Sequence, residues 1–301
     1  MKPTARLAAA GAAVFLFLPL EVLAMDVATL WNFSDPAASE AAFRKALGSV
    51  ANSDDELTLQ TQIARTYGLR SRFADAHALL DEIEPRLATA GAEPRVRYLL
   101  ERGRTFRSAK APERARPLFV EGATRAHAAG LDALEVDALH MIALVEPDPE
   151  AQIRWSREAL AVASRSADPA ARNWDASLAN NIGMSLHDAG RDDEALASFQ
   201  TALAARQRIG DVARIREAHW MIAWTLRSLH RHDEAMAILR RLEAEGADGY
   251  VYEEIAENLA AEQKLDAARP YFGKAWRLLS AEPSLDRPDD ERLARLERLS
   301  H

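Results

Sequence analysis

The chain has 301 residues and a globular composition, with 48% hydrophobic residues and 46 acidic against 38 basic side chains. The apolar fraction excludes a disordered chain, and the net charge of −8 argues against a general nucleic-acid-binding protein, which would need a basic surface. The absence of cysteine excludes disulfides, a cysteine nucleophile and cysteine-ligated metal centres, while alanine, the best helix former, supplies about a fifth of the residues.

Residues 1–24 have the layout of a secretory signal peptide. Lys2 and Arg6 precede an apolar run over 7–20, and small or medium residues follow at 22–24. The run is too short to cross a bilayer comfortably, so we predict no stable membrane insertion. Met25 offers a second start, which would make 1–24 an untranslated upstream region. The protein is cytoplasmic if translation starts at Met25, and exported or periplasmic if residues 1–24 are a genuine signal.

The next segment, residues 25–56, is predicted to form an N-terminal capping helix. Asp35-Pro36 is typical of a helix start, because proline at the first helical position loses no hydrogen bond there. The helix should run to about Leu47, since Gly48 follows as an end signal.

A repeated spacing covers residues 57–280. In five of six units a small residue is followed three positions later by a large residue, twelve later by alanine and sixteen later by a large apolar residue, as in Gly183, Leu186, Ala195 and Phe199. Small residues on two helices let them approach closely, so the spacing predicts a helix, a short turn and a second helix in each unit. The small residues of the six units are Ala64, Gly103, Ala143, Gly183, Ala223 and Ala256.

The third unit departs from this spacing, because Pro147-Asp148-Pro149 replaces its turn. We expect a shortened turn there and a kink or irregular joint in the array. No alternation of β-branched residues bounded by turn signals occurs, so we predict no strands.

The last segment, residues 281–301, is predicted to form a C-terminal capping helix. Pro288-Asp289-Asp290-Glu291 opens it, and Leu293, Leu296 and Leu299 fall on one side. An open repeat array needs polar-faced caps of this kind to stay soluble.

The repeated spacing resembles that of the tetratricopeptide repeat family, with residues 178–207 the closest match. The interval of about 40 residues is longer than the family's usual repeat of about 34 and is similar to the longer-helix variants in kinesin light chains and bacterial signalling regulators. The resemblance implies an all-α fold, a right-handed superhelical solenoid of about six helix pairs with terminal capping helices. It also implies that the first helix of each pair lines a concave groove that holds extended peptides or partner segments.

Four positions of each first helix, at −6, −3, +1 and +4 from the small residue, share one helical face. We call this face the inner stripe, and the resemblance places it in the groove. Arginines lie towards its amino end and glutamates towards its carboxyl end, with amide, imidazole and indole side chains between them. The candidate partner-binding residues are Arg65, Arg97, Arg104, Arg107, Asn180, His187, Trp220, Trp224, Arg227, Glu253 and Glu257.

These side chains allow more than one interpretation. The arginines could bind the acidic part of a ligand, since guanidinium groups match carboxylates, or they could simply be solvated. Trp220 and Trp224 could anchor a ligand side chain or pack against the neighbouring unit. Asn180 could pair with a ligand's backbone, whereas Asn181 is expected to turn towards the helix interface.

The sequence predicts no catalytic residue, cofactor or metal site, and we do not expect an enzyme. His230 and His232 are expected to be a solvated turn, and Glu253 and Glu257 a surface rather than an acid–base pair. The predicted function is a protein-interaction module or scaffold that binds an extended protein or peptide segment in the groove. The alternative is a bacterial-type regulatory or sensor protein whose solenoid binds a small ligand or a signalling peptide.

Overall fold

A computed structural model describes residues 27–282 and 290–301, so the signal-like segment 1–24 lies outside the described residues. The described residues form fifteen α-helices and two short 3₁₀-helices, with no strand among them. The first α-helix, α1 (Pro36–Leu47), precedes six helix pairs, and α15 (Asp290–Leu299) follows them. The pairs are α2 (Ser53–Leu69) with α3 (Phe73–Ile83), α4 (Ala92–Ser108) with α5 (Pro112–Ala128), α6 (Asp132–Ala143) with α7 (Pro149–Arg165), α9 (Asp175–Asp188) with α10 (Asp192–Ile209), α11 (Val212–Ser228) with α12 (His232–Ala244), and α13 (Gly249–Ala261) with α14 (Leu265–Leu279).

The remaining short elements connect this series. The one-turn helix α8 (Pro169–Arg172) lies between the third and fourth pairs, and the 3₁₀-helices cover Val27–Leu30 and Glu84–Thr89. The predicted all-α superhelical solenoid is therefore confirmed, with one helix pair for each unit. None of the helices within the described residues combines the length and apolarity needed to cross a membrane.

The contact between the two helices of a unit explains the repeated spacing. Ala195 and Phe199 of α10 are fully buried, and a Cβ atom added to Gly183 of α9 would lie 2.7 Å from Phe199 Cε1. In the second pair, a Cβ atom on Gly103 would lie 2.4 Å from the Phe119 ring. The phenylalanine therefore fills the space that the missing side chain leaves, which is why the small residue and the large one recur together.

The turn inside a pair also repeats. In five pairs it has three residues, and the middle one has a positive φ: Ser71, Lys110, Gly190, His230 and Gln263, with φ between 57° and 70°. This left-handed conformation closes the first helix and directs the chain back along it. Only one of the five residues is the glycine that this conformation favours.

The third pair differs, but not as the sequence suggested. Its connection, residues 144–148, has five residues instead of three, so the expected shortening of this turn was wrong. Because Pro147 and Pro149 lack the N–H group and disfavour helix before them, α6 ends at Ala143 without the extra turn of the other first helices. Asp148 then caps α7, accepting from the N–H of Ala151 at 3.1 Å. The second helix keeps its alignment, since Ala159 is fully buried forty residues after Phe119.

A helix lies at each end of the array as expected, and residues 288–289, where the last helix was predicted to begin, lie outside the described residues. Asp35 accepts hydrogen bonds from the N–H groups of Ala37 and Ala38 at 3.1 and 3.0 Å, and Gly48 follows the end of α1. At the other end Leu296 is fully buried, with Leu293 and Leu299 partly buried in the same core. The core continues along the whole array in three consecutive clusters, as expected of a solenoid in which each unit packs on its neighbours.

Candidate functional site

At the amino end of the inner stripe, arginines pair with buried carboxylates of the neighbouring helices. Arg104 of α4 donates to Glu101 Oε1 at 2.6 Å and to Asp137 Oδ1 of α6 at 2.5 Å. Arg65 of α2 lies 3.6 Å from Glu101 Oε1. Glu101 is only 2% exposed, so this network joins the first three pairs beneath the surface rather than above it.

The pKa values of the network follow from these pairs. Burial alone would raise the pKa of Asp137, but the charges of Arg104 and Arg65 outweigh it and hold the pKa below its usual value. Burial alone would lower the pKa of Arg104, and the carboxylates of Asp137 and Glu101 raise it instead. Both groups therefore stay charged at neutral pH, each compensated by the other.

The chain's own amino-terminal segment covers the first arginine of the stripe. Trp31 and Phe33 stack with their ring centroids 4.6 Å apart, and the Arg65 guanidinium lies 5.3 Å from each ring centroid. The Trp31 indole N–H donates to Gln62 Oε1 at 3.0 Å. Arg65 is consequently held between an internal carboxylate and two aromatic rings.

In the middle of the stripe, imidazole and amide side chains connect neighbouring first helices. Asn181 Nδ2 of α9 lies 3.4 Å from His140 Nδ1 of α6, so Asn181 faces the helix interface as expected. His187 Nε2 lies 3.1 Å from Ser228 Oγ of α11, and its ring stacks on Trp224 at 3.6 Å between centroids. Burial lowers the pKa of both histidines, which favours the neutral imidazole in this part of the stripe.

Two indoles and a phenol continue the stripe between α11 and α13. Trp220 and Trp224 are nearly parallel, with ring centroids 5.9 Å apart, and Tyr250 meets Trp220 edge-on at 6.3 Å. The Trp220 indole N–H donates to the Tyr250 carbonyl oxygen at 3.1 Å. Trp220 and Trp224 therefore pack against neighbouring units and still keep part of their surface exposed.

At the carboxyl end the glutamates are paired as well. Arg227 makes two hydrogen bonds to Glu254, from Nε to Oε1 at 2.5 Å and from Nη2 to Oε2 at 3.1 Å. The capping helix α15 supplies the other cations, as Arg292 binds Glu253 and Arg295 binds Glu257. Burial raises the pKa of Glu254 despite the neighbouring Arg227.

The structure thus brings most of the predicted residues into one continuous series of contacts, in which every first helix touches the next. Arg97 lies apart from this series and pairs with Glu93 on its own helix at 2.8 Å. Arg107 is exposed, and within the described residues no ion pair is found for it. Asn180 also contacts its own unit, since its Oδ1 accepts from Arg206 of α10 at 3.1 Å.

Sequence reasoning missed the position two residues before the small residue. Gln62, Glu101, Asn181 and Glu254 occupy this position. The last three contact a neighbouring first helix, and Gln62 accepts from Trp31 of the amino-terminal segment. Extending the stripe by one position would have found them, because helical positions −6 and −2 lie four residues apart on the same side.

The histidines and glutamates considered for metal or acid–base chemistry have other partners in the structure. Within residues 27–282 and 290–301, no group of three or more His, Asp or Glu side chains is arranged to hold a metal ion. The His230 and His232 rings are 6.0 Å apart, and His232 Nδ1 lies 3.1 Å from Asn258 Oδ1. Glu253 and Glu257 are each occupied by an arginine, so they do not form an acid–base pair.

Comparison with known proteins supports the repeat assignment. Residues 174–244, which span the fourth and fifth pairs, match the tetratricopeptide repeat family. No curated protein matches the sequence. Similar solved structures include apo RapI, with a TM-score of 0.70 at 14% identity over 90% of this chain and 78% of that one.

Two further structures have the same fold. NprR in complex with its cognate peptide NprX has a TM-score of 0.55 at 14% identity, covering 91% of this chain and 80% of that one. A putative kinesin light chain of Podosopora anserina with TPR-like repeats has a TM-score of 0.52 at 15% identity, covering 64% and 96%.

Proposed function

Because the chain is a tetratricopeptide-repeat protein, we propose that it is a non-enzymatic interaction module that binds an extended protein or peptide segment along the inner stripe. The observation that carries this proposal is the unbroken series of contacts between first helices, from Arg65 with Glu101 to Arg227 with Glu254. These contacts join helices that are distant in sequence into one surface. An extended ligand needs such a surface, because it crosses several helices.

The arginines of the stripe alone would predict an acidic ligand, but their ion pairs within the chain weaken this expectation. Arg65 and Arg104 are compensated by Glu101 and Asp137, so they attract an acidic ligand less than isolated arginines would. Amide, imidazole and indole groups then contribute most of the recognition. A ligand held by such groups gains affinity from desolvated contact area and hydrogen bonds rather than from charge steering.

A regulatory or sensor protein that binds a signalling peptide is the second candidate. NprR has the same fold and was solved with its cognate peptide, which supports a short peptide as the ligand. Both candidates use the same surface and differ in the length of the ligand and in what its binding controls.

The test begins with the purified chain as bait in an extract of the native cell, followed by mass spectrometry of what it retains. Binding of the identified partner is then measured by surface plasmon resonance with the wild type, Trp224→Ala and Trp276→Ala. Trp276 is the matched control, because it is also partly buried against the same core but belongs to a second helix, α14.

We expect Trp224→Ala to weaken binding about tenfold or more, mainly through faster dissociation, since it removes contact area at the groove. Trp276→Ala should bind like the wild type at comparable stability. Equal binding by both variants would place the partner site outside the inner stripe and contradict the proposal.

A further inference from the structure

An apolar cavity of about 490 Å³ lies between α11 and α13. Its walls include Trp220 and Tyr250 of the inner stripe together with Met221, Leu242 and Val251. Leu242 and Val251 are almost fully buried, at 1% and 3% exposure. The volume falls in the range of about 300–1,000 Å³ that ligand pockets occupy, so a peptide crossing these helices passes a space large enough for a bulky side chain.

The walls of this cavity are fixed before any ligand binds. The Trp220 indole is held by its hydrogen bond to the Tyr250 carbonyl and by the stack on Trp224, which in turn stacks on His187. Because the indole N–H is already bonded, Trp220 presents only apolar surface to an occupant. A preformed wall of this kind saves the entropy that ordering side chains on binding would cost.

The charged side chains that line this cavity already have partners within the chain. Arg216 donates to Glu245 Oε2 at 2.8 Å, and Arg214 donates to Glu217 Oε2 at 2.7 Å. Asp248 caps the start of α13. A charged occupant would lose its hydration without finding a free countercharge, so the cavity favours an uncharged side chain.

A second cavity, of about 430 Å³, lies one repeat earlier between α9 and α11 and is polar. Asn180 lines it at the repeat position that Trp220 occupies in the next unit, and Asn181 corresponds in the same way to Met221. The buried Arg206, 6% exposed, donates to Asn180 Oδ1 at 3.1 Å and holds this amide in place. The charged side chains of its lining are engaged within the chain, since Arg214 donates to Glu217 Oε2 at 2.7 Å, Arg206 also donates to the Arg214 carbonyl oxygen at 3.0 Å, and Asp211 caps the start of α11. Amide groups both donate and accept, so the second cavity suits an uncharged polar group.

The distance between neighbouring helices sets the distance between the two ligand side chains that the cavities can bind. Helices in contact lie about 8–10 Å apart. A polyproline II chain advances about 3.1 Å per residue with three residues per turn, so side chains three positions apart point the same way and are about 9 Å apart.

We infer that the ligand of the function proposed above carries two defined residues. A large, uncharged apolar side chain occupies the cavity of Trp220 and Tyr250. An uncharged polar side chain, of the Asn, Gln, Ser or Thr type, lies three positions away in the cavity of Asn180 and Asn181.

The probe is a random peptide display library selected on the immobilised full chain. Enriched peptides are synthesised, and their affinity is measured by fluorescence anisotropy for the wild type, Ala213→Trp, Ala204→Trp and Asn180→Ala. Ala213 is exposed and lines the apolar cavity, so a tryptophan there fills the cavity without removing a core contact. Ala204, exposed on α10, receives the same substitution as a control.

We expect the enriched peptides to share a large apolar residue and a polar uncharged residue three positions apart. Ala213→Trp should weaken their binding about tenfold or more, and Ala204→Trp should leave it unchanged. Selection on Asn180→Ala should keep the apolar residue and lose the polar one. Enrichment of charged residues in place of the apolar one, or unchanged binding by Ala213→Trp, overturns the inference.

The same variants separate this inference from the proposed function. If Ala213→Trp binds the selected peptides normally while Trp224→Ala weakens them, the groove binds peptides but the cavity does not select their side chain. If no peptide is enriched, or if no groove variant changes binding, both proposals fail.

Discussion

Gly183 shows at the scale of one residue why the repeat needs a small side chain at a fixed place. The position faces the fully buried Phe199 ring, which a Cβ atom would approach to 2.7–2.9 Å. Real Cβ atoms do not come so close, and the ring has no free space into which to move. The glycine is therefore required by packing and not by backbone conformation.

We predict that Gly183→Ala lowers the free energy of unfolding by about 1–3 kcal/mol through overpacking. Gly68→Ala is the control, because the nearest atom to its added Cβ is Thr105 Oγ1 at 3.9 Å. There alanine should be neutral or stabilising by up to about 1 kcal/mol, since it is the better helix former. Urea unfolding followed by circular dichroism measures both; equal midpoints would refute the packing explanation.

Glu101 illustrates a different dependence, in which one buried carboxylate compensates two arginines. Removing it leaves Arg65 and Arg104 with less compensation in a largely buried place, and the loss of one partner from a buried ion pair costs about 3–5 kcal/mol. Glu101→Ala should therefore lower the urea midpoint strongly. Glu93→Ala, which removes the half-exposed partner of Arg97, should cost less than about 1 kcal/mol. Similar midpoints for the two variants would mean that Glu101 is not a structural charge.

At the scale of the element, four of the five three-residue turns place a residue other than glycine in the left-handed conformation, which strains the backbone. Lys110 has a φ of 61° where Gly190 has 70° in an equivalent turn. A left-handed conformation costs a residue with a Cβ atom about 1–2 kcal/mol, whereas glycine adopts it freely but loses about 0.5–1 kcal/mol of chain entropy on folding.

Lys110→Gly should therefore stabilise the protein by about 0.5–1 kcal/mol, and Gly190→Lys should destabilise it by a similar amount. Thermal unfolding of the two variants provides the measurement. The opposite signs are the test, because a general effect of turn mutations would move both melting temperatures in one direction.

The helices themselves could be predicted from the sequence, because the spacing of small and large residues reports directly on the contact between two helices. The third turn could not, since Pro147 and Pro149 show that a helix must stop but not how many residues then bridge to the next one. The ion-pair partners of the stripe residues could not be predicted from the sequence either. Glu254 and Arg292 pair with stripe residues across helix boundaries, and only the superhelical geometry brings them within reach.

On the scale of the whole molecule, the solenoid has no single centre, and each pair is stabilised by its neighbours. A disturbance at one end should therefore stay local. Leu296 of α15 is fully buried against the last pair, so Leu296→Asp should release this capping helix.

Hydrogen exchange followed by mass spectrometry should then show faster exchange in α13 and α14 and unchanged exchange in α2–α5. Arg298→Asp, on the exposed side of α15, should change neither region. Faster exchange throughout the chain would indicate a single cooperative unit and contradict the solenoid's local coupling.

Because the chain itself covers both ends of the inner stripe, the uncovered part sets the length of peptide that can bind. Trp31 and Phe33 cover Arg65 at one end, and the α15 arginines cover Glu253 and Glu257 at the other. The uncovered stretch from α4 to α11 spans three helix-to-helix steps, about 27 Å, or about nine residues of polyproline II chain. Nested peptides should gain affinity up to about this length and none beyond it. A continued gain with longer peptides would mean that the ligand displaces one of the chain's own ends.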